Sequence, residues 1–300
     1  MLRRRFASRL HDFRVAGIER TPPLPARPTG IMYAGMTSHR DTRSWLVAVK
    51  SIAASVGAGE FTVIDDGSLT ARDRDLLARH LPGLRVVSLR DVATDGFPRG
   101  GCWERLLTIL DLSRDFYVLQ VDADLVARMP LTEVAAAVQA NRAFTLAGER
   151  TSQLMSLADS SEQARRVNDS HVQIAAEQLL FEFPGGGGLR YVRGCAGFAG
   201  FPKGCNRALV APFSQFMQSR LGERWQQWGT EQIASNFVIA NTNDPVVLPW
   251  DRYPAFGLEP DVSRAALVHF IGFNRYGDGV FTHASRAAIK RLEGINRSIA

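Results

Sequence analysis

Three hundred residues, 45% of them hydrophobic and 22% charged, are enough for one large core, and this composition excludes a disordered or fibrous chain. No apolar run reaches the roughly 20 residues that cross a bilayer, and no apolar stretch with a small-residue cleavage site follows the basic start, so the expected compartment is the cytoplasm. The net charge of +6 points to an anionic partner, while Cys102, Cys195 and Cys205, without CxxC spacing, argue against a disulfide framework or structural zinc.

Much of the positive charge lies at the start, where Arg3, Arg4, Arg5, Arg9, Arg14 and Arg20 interleave with Leu2, Phe6, Leu10 and Phe13. This arm reads either as a peripheral membrane contact or as a solvated, fraying helix. Pro22, Pro23, Pro25 and Pro28 forbid helix and central strand there, so residues 1–29 are expected to form a basic arm and linker, and residues 30–300 one domain.

Within that domain short apolar runs alternate with helical patterns. Strands are expected at Gly30–Gly35, Glu60–Ile64, Leu84–Leu89, Phe116–Val121 and Ala143–Ala147, and helices at Thr42–Ala54, Thr70–His80, Trp103–Leu112 and Leu131–Ala140. Such alternation predicts an α/β fold with a mixed, mostly parallel central sheet between helices. Residues 151–190 read as an insertion over the active-site face, broken by Pro184-Gly185-Gly186-Gly187-Gly188; that glycine run lacks the lysine and hydroxyl residue of a phosphate-binding loop and reads as a turn.

Ligands in these sheets bind beyond the carboxyl ends of strands, which singles out Asp65-Asp66-Gly67-Ser68 and Asp122-Ala123-Asp124. The second pair leaves a mostly apolar strand with two carboxylates at i and i+2, so both can face one hard cation, Mn²⁺ or Mg²⁺, whose remaining positions substrate phosphates fill. A nucleotide-diphosphate leaving group requires that neutralisation.

Four segments in order resemble glycosyltransferase family 8, the glycogenin and lipopolysaccharide galactosyltransferase group, over about Ile31 to Phe281. They are Phe61-Thr62-Val63-Ile64-Asp65-Asp66-Gly67-Ser68, Trp103-Glu104-Arg105-Leu106-Leu107 before the acidic pair, Glu231-Gln232-Ile233-Ala234-Ser235-Asn236, and His269-Phe270-Ile271-Gly272-Phe273-Asn274-Arg275. The resemblance implies a Rossmann-like GT-A fold and a metal-dependent, retaining hexosyltransferase that takes a nucleotide-diphospho-sugar, UDP-linked by analogy. Its acceptor, whether glycan, lipid or protein, is not specified.

By the same resemblance Asp122, Asp124 and His269 bind the metal, and Asp122 also lies near the ribose. Asp65 and Asp66 line the nucleotide pocket, Arg105 lies near the donor, and Gly272 and Arg275 meet the diphosphate. Glu231 holds sugar hydroxyls and Gln232 stands beside the reacting carbon. Arg275 replaces a lysine, Glu231 an aspartate, and Tyr276 and Gly277 a proline and a tryptophan. The first strand, ending Tyr33-Ala34-Gly35-Met36-Thr37-Ser38, lacks the aspartate that meets the base in the family, and Gly194-Cys195-Ala196-Gly197-Phe198-Ala199-Gly200-Phe201 lacks its asparagine.

Other readings fit less well. A nucleotidyltransferase or sugar-nucleotide pyrophosphorylase of this fold would carry a glycine-rich loop ending in arginine after the first strand. A dehalogenase-type phosphatase would follow its acidic pair with threonine, where Leu125 and Val126 stand. A non-catalytic anionic-ligand or membrane-surface protein would explain the charge, but the arginines are too dispersed for a nucleic-acid surface.

Overall fold

Apolar runs too short for helices pair side by side, and the amphipathic stretches between them cover both faces of the resulting sheet. After a first helix, Leu2–Arg14 (α1), the chain forms strands Ile31–Thr37 (β1), Glu60–Asp65 (β2), Arg85–Ser88 (β3) and Tyr117–Val121 (β4), joined through helices Thr42–Val56 (α2), Ala71–His80 (α3) and Trp103–Leu112 (α4). The computed structural model describes residues 2–259 and 261–295; the side chains of 2–5, 273, 274, 277 and 295 lie outside the described ones, and with them Arg3, Arg4 and Arg5 of the arm and Phe273 and Asn274 of the late motif. α3 begins one residue later than the periodicity predicts because Thr70 is its cap: the Thr70 hydroxyl accepts from the Asp73 amide, and the Asp73 carboxylate accepts from the Thr70 amide.

The chain continues through Leu125–Ala127 (β5), Thr132–Gln139 (α5) and Phe144–Ala147 (β6). The 151–190 segment contains Met155–Ser156 (β7), Leu157–Arg165 (α6), Val172–Gln178 (α7) and Arg190–Tyr191 (β8), with β7 and β8 closing a small antiparallel ribbon. Gly194–Phe201 (β9), Ala211–Leu221 (α8), Thr230–Ala240 (α9), Val246–Leu248 (β10), Leu267–His269 (β11) and Val280–Ile295 (α10) follow.

Seven strands form the central sheet in the order β10-β6-β9-β4-β1-β2-β3. All neighbours are parallel except β9, which runs antiparallel to both β4 and β6. A Cβ on Gly200 would lie 2.3 Å from Tyr117 Oη and 2.4 Å from Phe144 Cδ1, so β9 fits between its neighbours because it is small there. One side of the sheet buries Trp45, Leu46, Val49, Val134 and Ile289, and the other Trp103, Phe213, Trp225 and Phe237. Among the described residues no helix is long and apolar enough to cross a membrane.

Several described residues before the proline-rich stretch share this core. His11, Val15 and Ile18 are buried. The His11 ring stacks on Phe281 at 4.2 Å, with Nδ1 2.9 Å from Thr282 Oγ1 and Nε2 3.2 Å from Ser44 Oγ. Buried Lys50 of α2 fastens the start of the proline stretch by donating to Thr21 Oγ1 and the Pro22 carbonyl, both at 2.6 Å. Phe6 and Phe13 remain exposed.

Candidate active site

β1, β2 and β4 deliver their carboxyl ends to one edge, and the expected residues collect there and along the neighbouring end of β9. Trp45 Nε1 donates to the Val121 carbonyl at 3.0 Å, and the Asp122 amide donates to the Gly197 carbonyl at 3.0 Å, so the turn carrying the acidic pair is held from both sides. The late segment folds back over it: β11 pairs with β5, His269 opposite Leu125, and the Phe270 amide donates to the Asp124 carbonyl at 2.8 Å. His269 and Asp124, far apart in sequence, therefore face each other with Nε2 and Oδ1 3.2 Å apart.

The geometry of that pair is unusual for a plain ion pair, because buried Asp124 Oδ1 has no aligned hydrogen-bond donor. Burial opposes charge on both groups. Even so, His269 and Arg275 hold the Asp124 carboxyl below its ordinary range, while Cys195 and Asp124 push His269 well above the usual histidine value. Cys195 Sγ lies 3.5 Å from His269 Nδ1. Gly197 provides the space: a Cβ there would sit 2.3 Å from His269 Cε1.

Asp122 is committed differently. Its Oδ1 accepts from Arg105 Nη1 at 2.6 Å, and Arg105 Nη2 reaches Glu231 Oε2 at 3.0 Å, so one buried guanidinium joins the acidic pair to the start of α9. Burial raises the Asp122 and Glu231 carboxyls against the attraction of Arg105. Glu231 Oε1 and Arg105 Nε have no partner. Gln232 Oε1 accepts from the Ala196 amide at 3.1 Å, and Asn236 Nδ2 donates to the Gly194 carbonyl at 3.1 Å, so the turn-spaced pair on α9 grips β9.

Arg275 donates to Asp41 Oδ1 at 2.7 Å, lies 4.0 Å from Asp124 Oδ2 and covers the rings of Tyr276 and Phe281. Gly272, exposed and at φ +64°, makes the turn between β11 and Arg275. Asp65 closes its own turn, accepting from the Gly67 amide at 2.8 Å and from Arg74 at 2.5 Å, and Asp66 accepts from the Ser68 amide at 2.9 Å. Asp41, Cys195, Gly197 and Thr37, whose buried hydroxyl is unpartnered, escaped the sequence reading. Thr37, Cys195 and Gly197 lie in strands compared with the family only for the residues that those strands lack, and Asp41 lies in no compared segment.

The donor set can be tested against a divalent cation. A buried carboxylate oxygen without a donor, beside an imidazole nitrogen, fits Mn²⁺. Among the described residues, however, no three His, Cys, Asp or Glu side chains converge to hold an ion, because Asp122 is turned to Arg105. Asp124 and His269 thus fit such a group directly, and Asp122, whose Oδ1 is held by Arg105, would offer it the other oxygen.

The sheet order with its single reversed strand is a mixed α/β architecture, and its likeness to a solved structure identifies the fold as GT-A. The chain matches the crystal structure of an active-site mutant of LgtC with a TM-score of 0.52 and 14% identity, covering 85% of this chain and 95% of that one. It also matches galactosyltransferase LgtC in complex with donor and acceptor sugar analogues, with a TM-score of 0.48, 14% identity and the same coverage. Mouse xyloside xylosyltransferase 1 gives a TM-score of 0.46 and 10% identity, covering 80% of this chain and 96% of that one. At such identities the likeness is one of fold. No protein-family model matches the sequence, and no curated protein matches it.

Proposed function

We propose that the chain transfers a sugar from a nucleotide-diphospho-sugar to an acceptor. One observation carries this reading: of the eleven buried side-chain polar atoms without partners among the described residues, six gather at one edge of the sheet. Asp124 Oδ1, Glu231 Oε1, Arg105 Nε, Arg275 Nε, Asn236 Oδ1 and Thr37 Oγ1 all lack a hydrogen bond. Native proteins rarely leave such atoms unsatisfied, and a polar ligand is the economical explanation for several together.

In this reading Asp65, Asp66 and Thr37 line the nucleotide end, and Arg275 meets the diphosphate with Gly272 at the turn. Asp122, Asp124 and His269 would hold Mn²⁺, or Mg²⁺, which when bound offsets the charge that the diphosphate gains as the sugar leaves. Arg105, already shared by Asp122 and Glu231, keeps both carboxylates beside the donor. Glu231 Oε1 is free to accept from sugar hydroxyls, and Gln232, fixed by β9, stands at the reacting carbon. The reaction we propose is retaining, because no carboxylate is assigned to the acceptor side as a base, and a neutral amide stabilises developing positive charge better than it attacks. UDP is the proposed nucleotide by resemblance.

The test is a thermal-shift panel of UDP-, GDP- and CMP-sugars with and without Mn²⁺. A ligand that binds only the folded state raises the melting temperature by mass action, so one sugar nucleotide should stand out and its shift should grow with Mn²⁺. No shift with any of them would overturn the reading.

A further inference from the structure

A groove of about 350 Å³ lies beside α10. Val280, His283, Ala284, Ala287 and Arg291 line one side; their spacing puts them on one face of the helix, about 16 Å from end to end. Opposite are Arg128 and Met129 after β5 together with Val262, Ser263 and Ala265, with buried Phe270 beneath. The small alanines leave the space open, and the walls are mostly apolar.

One end of the groove is cationic. Arg291 donates to the Ala127 carbonyl at 2.7 Å, and Arg128 donates to the Val262 carbonyl, so backbone acceptors orient both guanidiniums. Among the described residues neither has a carboxylate within 4.0 Å, whereas Arg74, Arg105, Arg193 and Arg275 are all paired. The loop's own acid, Asp261, accepts from the Ser263 amide at 2.8 Å and meets the charges of Arg264 and Arg128 only at longer range. Burial and the charge of Arg128 hold Arg291 below its ordinary range, so the two cations repel each other at the edge of an apolar trough. An anion between them relieves that repulsion and gains charge-assisted hydrogen bonds, and two planar forks suit a phosphate.

We propose that this groove binds a single-chain lipid phosphate, with its head between Arg128 and Arg291 and its chain along Met129, Ala287 and Ala284, past His283 to Val280. The volume falls within the usual range for small-molecule sites, and the charge sits at one end only, as an amphiphile requires. The inference stands apart from the sugar-transfer reading, since none of these side chains belongs to the proposed donor site.

Calorimetry on the full chain decides it, with dodecyl phosphate below its micellar concentration and with inorganic phosphate and dodecyl maltoside as head-only and chain-only probes. Dodecyl phosphate should bind at least about tenfold more tightly than either. Arg128→Gln with Arg291→Gln should cost about tenfold or more in that affinity, and Ala287→Trp, which fills the groove, should remove binding. Should the double variant fail to fold, Ala287→Trp at its half-exposed position keeps the test intact. Equal affinity for dodecyl phosphate and dodecyl maltoside, or undiminished binding to Ala287→Trp, overturns the proposal. So does competition by UDP, which would move the ligand to the donor site, or a solution dimer that Ala287→Trp dissociates, which would assign the groove to a second copy.

Discussion

The imidazole of His269 occupies the space that any side chain on Gly197 would need, with its Cε1 2.3 Å from where a Cβ would stand. β9 thereby admits a residue from the far end of the chain to the acidic turn. Gly197→Ala forces either the ring or the backbone to move, at a cost of roughly 1–3 kcal/mol of stability. Chemical unfolding should report that loss, and any Mn²⁺-dependent thermal shift should shrink with it. A variant that keeps the full shift would mean that the position of His269 does not matter.

Asp124→Asn keeps the shape of the turn and removes the charge that faces His269 and Arg275. The variant should fold with an unchanged circular dichroism spectrum and lose metal-dependent donor turnover by about 100-fold or more. Turnover close to the parent's in a folded variant would eliminate Asp124 as a ligand.

Arg275→Gln separates diphosphate recognition from nucleoside recognition. Charge-assisted hydrogen bonds contribute about 1.5–3 kcal/mol, so UDP should bind roughly tenfold or more weakly while uridine is little affected. Calorimetry with the two ligands side by side measures it. Truncation from Val268 would not serve, because β11 pairs with β5 and Phe281, Ile289 and Leu292 of α10 belong to the core.

Acid should destabilise the fold through His11. Burial, and secondarily Arg275, lower its pKa from 6.5 to about 3. Below 6.5 the unfolded chain takes up a proton that the folded chain refuses, so this contribution is whole above pH 6.5 and is lost as pH falls towards 3. Between neutrality and pH 4.5 the parent should lose about 1–3 kcal/mol more than His11→Phe, read from urea midpoints. Parallel losses in both proteins would exclude His11 as the cause.

NMR of the product's anomeric proton tests the stereochemistry. Retention is expected from Glu231 spent on Arg105 and Gln232 fixed on the Ala196 amide. An inverted product would demand a base among residues not assigned here.

Local signals carried the fold. Apolar runs of strand length, separated by helical periodicity, yielded β1 to β4 and α2 to α5 within a residue or two, and the acidic pair lies at the exit of β4 where it was read. What stayed illegible depends on partners distant in sequence. Nothing near Arg105 announces that it bridges Asp122 and Glu231, and nothing near Asp41 announces Arg275. A run of arginines reads as a solvated arm, yet His11, Val15 and Ile18 in the same stretch are covered by α2 and α10, and no periodicity rule reveals a cover supplied by the other end of the chain.

The reversed strand β9 also sets an order of events during synthesis. Until Gly194–Phe201 leaves the ribosome, β4 presents an open edge and β6, whose other neighbour β10 comes later still, stands unpaired, so the two halves of the sheet are not yet joined. Open edges of apolar strands invite pairing with other chains, so nascent forms ending before β9 should be the ones that aggregate. The strand that joins the halves also receives the Asp122 amide and makes room for His269. The non-local step that protects the sheet edges thus also shapes the acidic turn, before the segment carrying His269 is made.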